Sequence, residues 1–231
     1  TQNPDGRGLP HTSAIVQDKL GLSDEVAALD ISLGCSGYVY GLVLIKGFMQ
    51  AAGLKHGILV TADPYSKIVD QQDSNTAMLF GDAASATLIT DAPVLNIGES
   101  LFGTDGSGAM NLVNQQGLLH MNGRQIFNFA ASRVPKQINR LLESVGMTTD
   151  DIDQFLLHQG SRYIVETLAR SLQIPADKAP VLLENVGNTV SSSIPLLLEQ
   201  SIREEKQKKM LLSGFGVGLS WGSVILYRTD Y

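Results

Sequence analysis

The sequence has very little cysteine, few aromatic residues, no excess of positive charge and no long hydrophobic run. Cys35 is the only cysteine in 231 residues, so an internal disulfide is excluded and nothing indicates an oxidising compartment. The 23 acidic residues outnumber the 17 lysines and arginines, which disfavours nucleic acid or an anionic membrane as a partner. The longest apolar stretch, residues 38–54, is interrupted by Lys46, Gln50 and three glycines, so no membrane span is expected. The first residues, TQNPDGRGLPHTS, lack the apolar core of a signal peptide, and we therefore expect a cytoplasmic protein.

Strand-like and helix-like segments alternate along the chain, a pattern typical of an α/β fold with parallel central strands. The predicted strands are residues 28–32, 57–62, 85–90 and 154–158, with two more around a glycine-rich turn in 209–227. The predicted helices cover residues 36–52, about 126–146, 161–174 and 195–209. Apolar residues lie all round the first helix, which predicts burial on every side. Pro135 should start, kink or divide the helix predicted at residues 126–146. Residues 103–123 are predicted to form a loop.

Two of these strands are each followed by a residue that could act in catalysis and then directly by a helix. The first is LDISLGC, which ends at Cys35, and the second is QFLLHQG, which contains His158. In α/β sheets functional groups gather where strands end and helices begin, so the two side chains are expected to meet. A helix N-terminus and a nearby histidine both favour the thiolate, which would make Cys35 a nucleophile. The alternatives are a buried structural cysteine and a hydrogen-bonded structural histidine.

A third element lies in the turn-rich segment VGNTVSSSIP, which contains Asn188. Alone, an asparagine there is usually structural, because asparagine tolerates the left-handed conformation. The residues around all three candidates, however, resemble the beta-ketoacyl-acyl-carrier-protein synthase III family of thiolase-fold condensing enzymes. The matching motifs are CSGYVYGL (35–42), LFGDAASAT (79–87), MNGRQIFNF (121–129), HQGSRYI (158–164), GNTVSSSIP (187–195) and GFGVGLSWGS (214–223).

The resemblance implies a catalytic set of Cys35, His158 and Asn188 and a five-layered α/β fold of two related halves. The N-terminal half, residues 1–93, would carry the cysteine and be truncated, and residues 94–231 would carry the histidine and the asparagine. Cys35 would accept an acyl group from a thioester. A malonyl thioester on an acyl carrier protein would then lose carbon dioxide, and its enolate would attack the acyl-enzyme. His158 and Asn188 would donate hydrogen bonds to the enolate oxygen.

The remaining site residues follow from the same motifs. The backbone N–H groups of Cys35 and of Gly216, Val217 and Gly218 are candidates for an oxyanion hole. Ser161, Arg162 and Phe215 are the predicted substrate-binding residues. We expect no metal and no cofactor beyond the thioester substrate, because the histidines show no metal-ligand spacing.

Departures from the family pattern leave the acyl donor open between coenzyme A and a carrier protein. Ser74 follows Asp73 where the family commonly has an arginine near the adenine of coenzyme A, and Ser161 replaces an asparagine that contacts pantetheine. The glycine-rich turn lacks the second cysteine of degradative thiolases, which disfavours that reaction. Specialised acyl transfer, polyketide- or quinolone-type condensation, and a non-catalytic thiolase-fold partner subunit remain as alternatives. We expect a homodimer.

Overall fold

The structure is a computed structural model that describes residues 9–229. Its α-helices are α1 (Thr12–Lys19), α2 (Gly37–Ala52), α3 (Ser74–Ala77), α4 (Gly123–Ser144), α5 (Arg162–Ser171) and α6 (Ser193–Ser201). Its strands are β1 (His56–Ala62), β2 (Ala84–Thr90), β3 (Leu95–Thr104), β4 (Leu112–Gln115), β5 (Leu118–Met121), β6 (Gln154–Leu157), β7 (Lys209–Gly216) and β8 (Ser220–Arg228). Across the described residues, no helix combines the length with the hydrophobicity that a membrane span requires.

The largest sheet has the strand order β3-β8-β7-β6. Strands β7 and β8 form the predicted hairpin around the glycine-rich turn, and β3 pairs antiparallel with β8. Within this sheet of residues 95–228, β6 and β7 are the parallel pair, with Phe155 opposite Leu211. Consecutive strands with a short turn between them must pair antiparallel, so the prediction of parallel central strands is wrong for β7 and β8. The parallel pair matters for function, because β6 leads directly into His158.

Strands β1 and β2 were predicted, but they pair antiparallel in a separate two-stranded sheet. The predicted strand at residues 28–32 is absent. That segment is largely exposed, and the Asp30 carboxylate accepts hydrogen bonds from the backbone N–H groups of Thr12 and Ser13 at 2.7 and 2.8 Å. The segment does not join a sheet; its Asp30 carboxylate instead caps the N–H groups in the first turn of α1, which have no partner within the helix.

Part of the predicted loop at residues 103–123 is the hairpin of β4 and β5. Gln116 and Gly117 form its two-residue turn, and both have positive φ, 54° and 87°. Such a turn matches the right-handed twist of the flanking strands. The hairpin closes one side of the cavity described below.

The predicted helices at residues 36–52 and 161–174 are confirmed as α2 and α5. Helix α2 ends at Gly53, whose φ of 66° closes the helix in the left-handed conformation. The prediction that α2 is buried on every side is wrong, because Leu44 and Phe48 on one face are 52% and 42% exposed. Its other face, including Tyr38, Val39 and Leu42, is buried.

Helix α4 runs from Gly123 to Ser144 without a break at Pro135. Pro135 is buried beside Val134 and Ile138, so core packing offsets the loss of one backbone hydrogen bond. Gly146, with φ 69°, follows the end of the helix as predicted. Helix α6 ends at Ser201, earlier than predicted, and the charged run 204–208 lies beyond it.

The hydrophobic core crosses the predicted boundary between the two halves. One buried cluster joins Cys35, Tyr65 and Val69 to residues such as Phe155 and Leu211. A second places Tyr38 and Leu42 against α6, β7 and β8. The boundary at residues 93/94 falls between β2 and β3, and the division into 1–93 and 94–231 stays a prediction.

Candidate active site

A cavity of about 330 Å³ brings together the residues at the ends of several elements. Three of its lining residues are the predicted catalytic side chains. The lining is formed by Cys35, Leu79, Phe80, Leu112, Met121, Gly123, Arg124, Ile126, Phe127, His158, Gly160, Ser161, Tyr163, Ile164, Asn188, Phe215 and Gly216. Residues distant in sequence therefore converge on one space large enough for a small acyl group and part of its carrier.

Cys35 lies two residues before α2 and against the end of β7. Its side chain is buried, with 5% of the residue exposed. A Cβ atom on Gly214 would lie 2.7 Å from the Cys35 carbonyl oxygen, and one on Gly216 would lie 2.8 Å from Cys35 Sγ. Only glycine permits so close an approach of the strand backbone to the sulfur. Gly214 and Gly216 therefore allow β7 to pack closely against the cysteine.

Burial, and after it the negative charge of Asp63, raises the pKa of the Cys35 thiol to about 12. The backbone N–H groups of Val217 and of Cys35 itself oppose the rise through hydrogen bonds with the sulfur. Burial therefore opposes the thiolate that the helix terminus is expected to favour. Loss of water around the sulfur, which the sequence does not reveal, favours the thiol.

His158 follows β6 directly and is 2% exposed. Its backbone N–H donates to the Ser213 carbonyl of β7 at 2.8 Å, which continues the parallel pairing. Its Nδ1 atom lies 2.8 Å from Ser193 Oγ, and its ring packs edge-on against Phe215 with centroids 5.4 Å apart. Desolvation lowers the pKa of His158 to about 3, although hydrogen bonding with the Val190 backbone works in the opposite direction. The imidazole is therefore neutral at pH 7.

Asn188 bridges to the segment that contains Phe80. Its backbone N–H donates to the Leu79 carbonyl at 2.9 Å, and its carbonyl accepts from the Gly81 N–H at 3.0 Å. The side-chain Oδ1 atom accepts from the Val190 N–H at 2.9 Å. Because the oxygen is used in this way, the amide NH₂ group is the part of Asn188 that can donate into the cavity.

The other predicted site residues divide into two groups. Gly216, Phe215 and Ser161 line the cavity, and Ser161 Oγ also caps α5 by accepting from the Ile164 N–H at 3.2 Å. Val217 does not line the cavity, but its backbone N–H faces the Cys35 sulfur as described above.

Gly218 and Arg162 lie outside the cavity lining. Gly218, with φ 133°, is part of the turn between β7 and β8. The Arg162 guanidinium extends away from the lining and forms an ion pair with Glu184 at 2.9 Å. Arg162 therefore does not line this cavity, and its role in substrate binding stays a prediction.

Arg124 and Tyr163 belong to the same motifs and line the cavity, but they were not predicted as site residues. Arg124 stands in the first turn of α4, and Tyr163 stacks on Phe127 with ring centroids 5.1 Å apart. The three-residue spacing of Arg124 and Phe127 is the signal that places both on one face of α4. Among the described residues, no three His, Cys, Asp or Glu side chains cluster as a metal site.

Comparisons with known proteins agree with this geometry. The family model described as 3-Oxoacyl-[acyl-carrier-protein (ACP)] synthase III matches residues 29–106, and its C-terminal counterpart matches residues 142–228. The chain is 37% identical over 225 residues to a protein named Beta-ketoacyl-[acyl-carrier-protein] synthase III 1 from Halalkalibacterium halodurans, covering 94% of this chain and 70% of the relative. It is 36% identical to the corresponding synthase III of Geobacillus kaustophilus, covering 98% and 73%.

Solved structures also share the fold of this chain. The 3-oxoacyl-[acyl-carrier-protein] synthase III of Aquifex aeolicus superposes with a TM-score of 0.89 at 32% identity, covering 96% of this chain and 73% of the other. A priming beta-ketosynthase from the R1128 polyketide pathway superposes with a TM-score of 0.86 at 27% identity, covering 100% and 73%. The predicted thiolase-like α/β fold is therefore confirmed. With identities above one third over most of its length, the chain belongs to the beta-ketoacyl-[acyl-carrier-protein] synthase III family of acyltransferases.

Proposed function

We propose that this chain carries out the family's decarboxylative condensation through Cys35, His158 and Asn188. The observation that supports the proposal is the convergence of these three side chains on one cavity of about 330 Å³. Cys35 is the nucleophile that carries the acyl group. His158 and Asn188 bind the enolate that forms when the malonyl thioester loses carbon dioxide.

In the first half-reaction, the Cys35 sulfur forms a bond to the acyl carbon and the bond between that carbon and the carrier's sulfur breaks. The Cys35 sulfur gives up its proton as it attacks, and the departing carrier sulfur takes up a proton and leaves as a thiol. The tetrahedral intermediate needs donors for its negative oxygen. The N–H groups of Cys35 and Val217 act on the sulfur and oppose the rise of its pKa, so they are the candidates to bind this oxygen.

In the second half-reaction, the electrons of the broken bond to the carboxylate become an enolate. The enolate carbon attacks the acyl-enzyme, a carbon–carbon bond forms, and Cys35 leaves and is reprotonated. A neutral imidazole with its hydrogen on Nε2 suits this step, because it donates without first losing or gaining a proton.

Ser193 supports this tautomer. Its Oγ atom accepts from the Gln159 N–H at 3.4 Å, so the hydroxyl hydrogen is available to donate to His158 Nδ1. When the hydroxyl donates to Nδ1, the hydrogen of the neutral ring lies on Nε2, as the proposed contact with the enolate requires. Gly160, which lines the cavity, lies close to this edge of the ring, since a Cβ atom there would be 3.7 Å from Nε2.

The donor is an acyl thioester of coenzyme A or of an acyl carrier protein. Arg124 at the cavity supplies a positive charge, and the stacked Phe127 and Tyr163 supply an aromatic surface beside it. Both kinds of donor carry a phosphopantetheine arm, whose phosphate and amide groups suit these residues.

We also propose a cytoplasmic homodimer. Ile58 and Leu88 are directly opposite each other on β1 and β2, and Val60 follows on the same face. All three are exposed. Exposed apolar residues that cluster in this way commonly mark a protein interface.

Intact-mass measurement tests the assignment of the nucleophile. After incubation with acetyl-, octanoyl- or aryl-CoA, the protein should gain the mass of one acyl group, and Cys35→Ala should gain none. A scaffold subunit without activity would gain no mass with any donor. Acylation that persists in Cys35→Ala would exclude Cys35 as the nucleophile.

Decarboxylation of a malonyl thioester tests Asn188. Asn188→Ala should still acylate, but its release of carbon dioxide should fall about 10²–10³-fold, as expected for loss of one such donor. Asn114→Ala is the matched control, because Asn114 Oδ1 also accepts a backbone hydrogen bond, from the Gly117 N–H at 3.0 Å, away from the cavity. Equal losses of acylation and decarboxylation in Asn188→Ala would reject its assigned role.

A further inference from the structure

Asp63 is a fully buried acidic residue that the proposed reaction does not use. It follows the last residue of β1 and is 0% exposed. Its Oδ2 atom accepts hydrogen bonds from both the backbone N–H of Ser191, at 3.1 Å, and the Ser191 hydroxyl. A carboxylate removed from water in this way needs such donors to compensate for its lost hydration.

The segment that Asp63 holds also carries two contributions to the proposed site. Asn188, three residues before Ser191, presents its amide to the cavity, and Ser193, two residues after it, contacts His158 Nδ1. Ser192 is held separately, by Thr61 of β1 at 2.8 Å. The end of β1 therefore fixes the middle of the segment 188–193, and the two active-site contacts lie on either side of the fixed point.

Asp63 also acts on the nucleophile through its charge. Its negative charge is the second cause, after burial, of the raised pKa of Cys35. Of the other titratable groups around the sulfur, Tyr65 is buried and itself affected by Cys35 and Asp63, while His158 and Arg124 line the cavity. Asp63 is the acidic group of this set, and Arg124 is its counterpart of opposite sign.

We propose that Asp63 is a positioning residue for the condensing site, which fixes the segment 188–193 through Ser191 and places a negative charge beside the Cys35 sulfur. This inference rests on the proposed function. The fixed segment keeps the amide of Asn188 and the hydroxyl of Ser193 in place during decarboxylation. The charge adds to burial in favouring the thiol over the thiolate, which limits side reactions of the sulfur.

Alkylation of Cys35 by iodoacetamide tests the charge, because it requires no substrate and no condensation. Asp63→Asn keeps the shape and one acceptor oxygen but removes the charge. A thiol whose pKa falls by one has about ten times more thiolate, partly offset by weaker nucleophilicity, so the second-order rate at pH 8 should rise about threefold or more. Asp82→Asn is the matched control, since exposed Asp82 accepts the same pair of hydrogen bonds from Ser66. Its alkylation rate should be that of the wild type.

Ser191→Ala tests the positioning part and keeps the proposal falsifiable if Asp63→Asn does not fold. Loss of the hydroxyl donor should lower kcat for malonyl decarboxylation about tenfold and leave KM and the acylation yield nearly unchanged. An unchanged alkylation rate in Asp63→Asn would overturn the charge effect. Wild-type decarboxylation in Ser191→Ala would overturn the positioning role. If the wild type itself forms no acyl-enzyme, the proposed function fails, while the alkylation comparison still measures the effect of Asp63.

Discussion

The buried, neutral His158 predicts that this protein loses stability in mild acid for a reason that one substitution can isolate. Its pKa is lowered from 6.5 to about 3, with burial as the main cause. The unfolded chain therefore binds a proton between these pH values and the folded chain does not. Stability from this group is fully present above about pH 6.5 and is lost as the pH falls toward 3.

The magnitude follows from the width of the pH window. Between pH 6.5 and 5, the free energy of unfolding falls by about 1.4 kcal/mol for each pH unit, because only the unfolded chain binds the proton. His158 should therefore account for a loss of about 2 kcal/mol of stability. Other groups titrate in the same range, and the comparison of variants removes their contribution. His158→Gln, which carries no titrating group, should lose about 2 kcal/mol less between pH 7 and pH 5 than the wild type.

Urea unfolding at pH 7 and pH 5, followed by far-UV circular dichroism, gives the required free energies of unfolding. His120→Gln is the control, because His120 is exposed on β5 and should keep the wild-type dependence. His158→Gln is expected to be less stable than the wild type at pH 7, which does not affect the test, since only the change between the two pH values is compared. The same change in the wild type and in His158→Gln would refute the argument that this histidine is buried in its neutral form.

Two further predictions concern the contacts around the cavity. Gly216→Ala would place a Cβ atom 2.8 Å from Cys35 Sγ, so we expect the yield of acyl-enzyme to be largely lost. Gly47→Ala is the control, because a Cβ atom there meets nothing within 4 Å. This variant should acylate normally, and its free energy of unfolding should rise by about 0.5–1 kcal/mol. Normal acylation of Gly216→Ala would contradict the close approach of β7 to the nucleophile. Arg124→Ala should raise KM for acyl-CoA about fivefold or more with little change in kcat, whereas Arg162→Ala should leave KM unchanged, because only Arg124 lines the cavity. A higher KM in Arg162→Ala alone would restore the substrate role that the sequence predicts for it.

The sequence by itself predicted the family and most of the elements that carry the site. The alternation of apolar segments indicated β1, β6 and the hairpin of β7 and β8. These predictions depend on local preferences, which residues close together in the chain express without help from the rest of the fold. The motifs around Cys35, His158 and Asn188 identified the family, and the structure places all three side chains on one cavity.

The protonation of the site depended on tertiary structure. The position of Cys35 near a helix N-terminus favoured a thiolate, whereas burial and Asp63 favour the thiol. Asp63 lies 28 residues along the chain from Cys35, and no local pattern indicates that the two meet. The loss of solvent around a side chain depends on everything that packs over it, so the direction of these pKa shifts becomes known only from the assembled fold.

The tertiary structure also determined where side chains point and which residues they contact. The HQGSRYI motif pointed to Arg162 as a substrate contact, but the side chain pairs with Glu184, and Tyr163 faces the cavity instead. The apolar segment at residues 28–32 resembled a strand, but it lies exposed and caps α1. A sequence records which residue types are available at each position, whereas long-range packing selects which neighbour each one contacts. Local chemistry thus determined the kind of site this protein has, and the packing of distant segments determined its charge, its lining and its orientation.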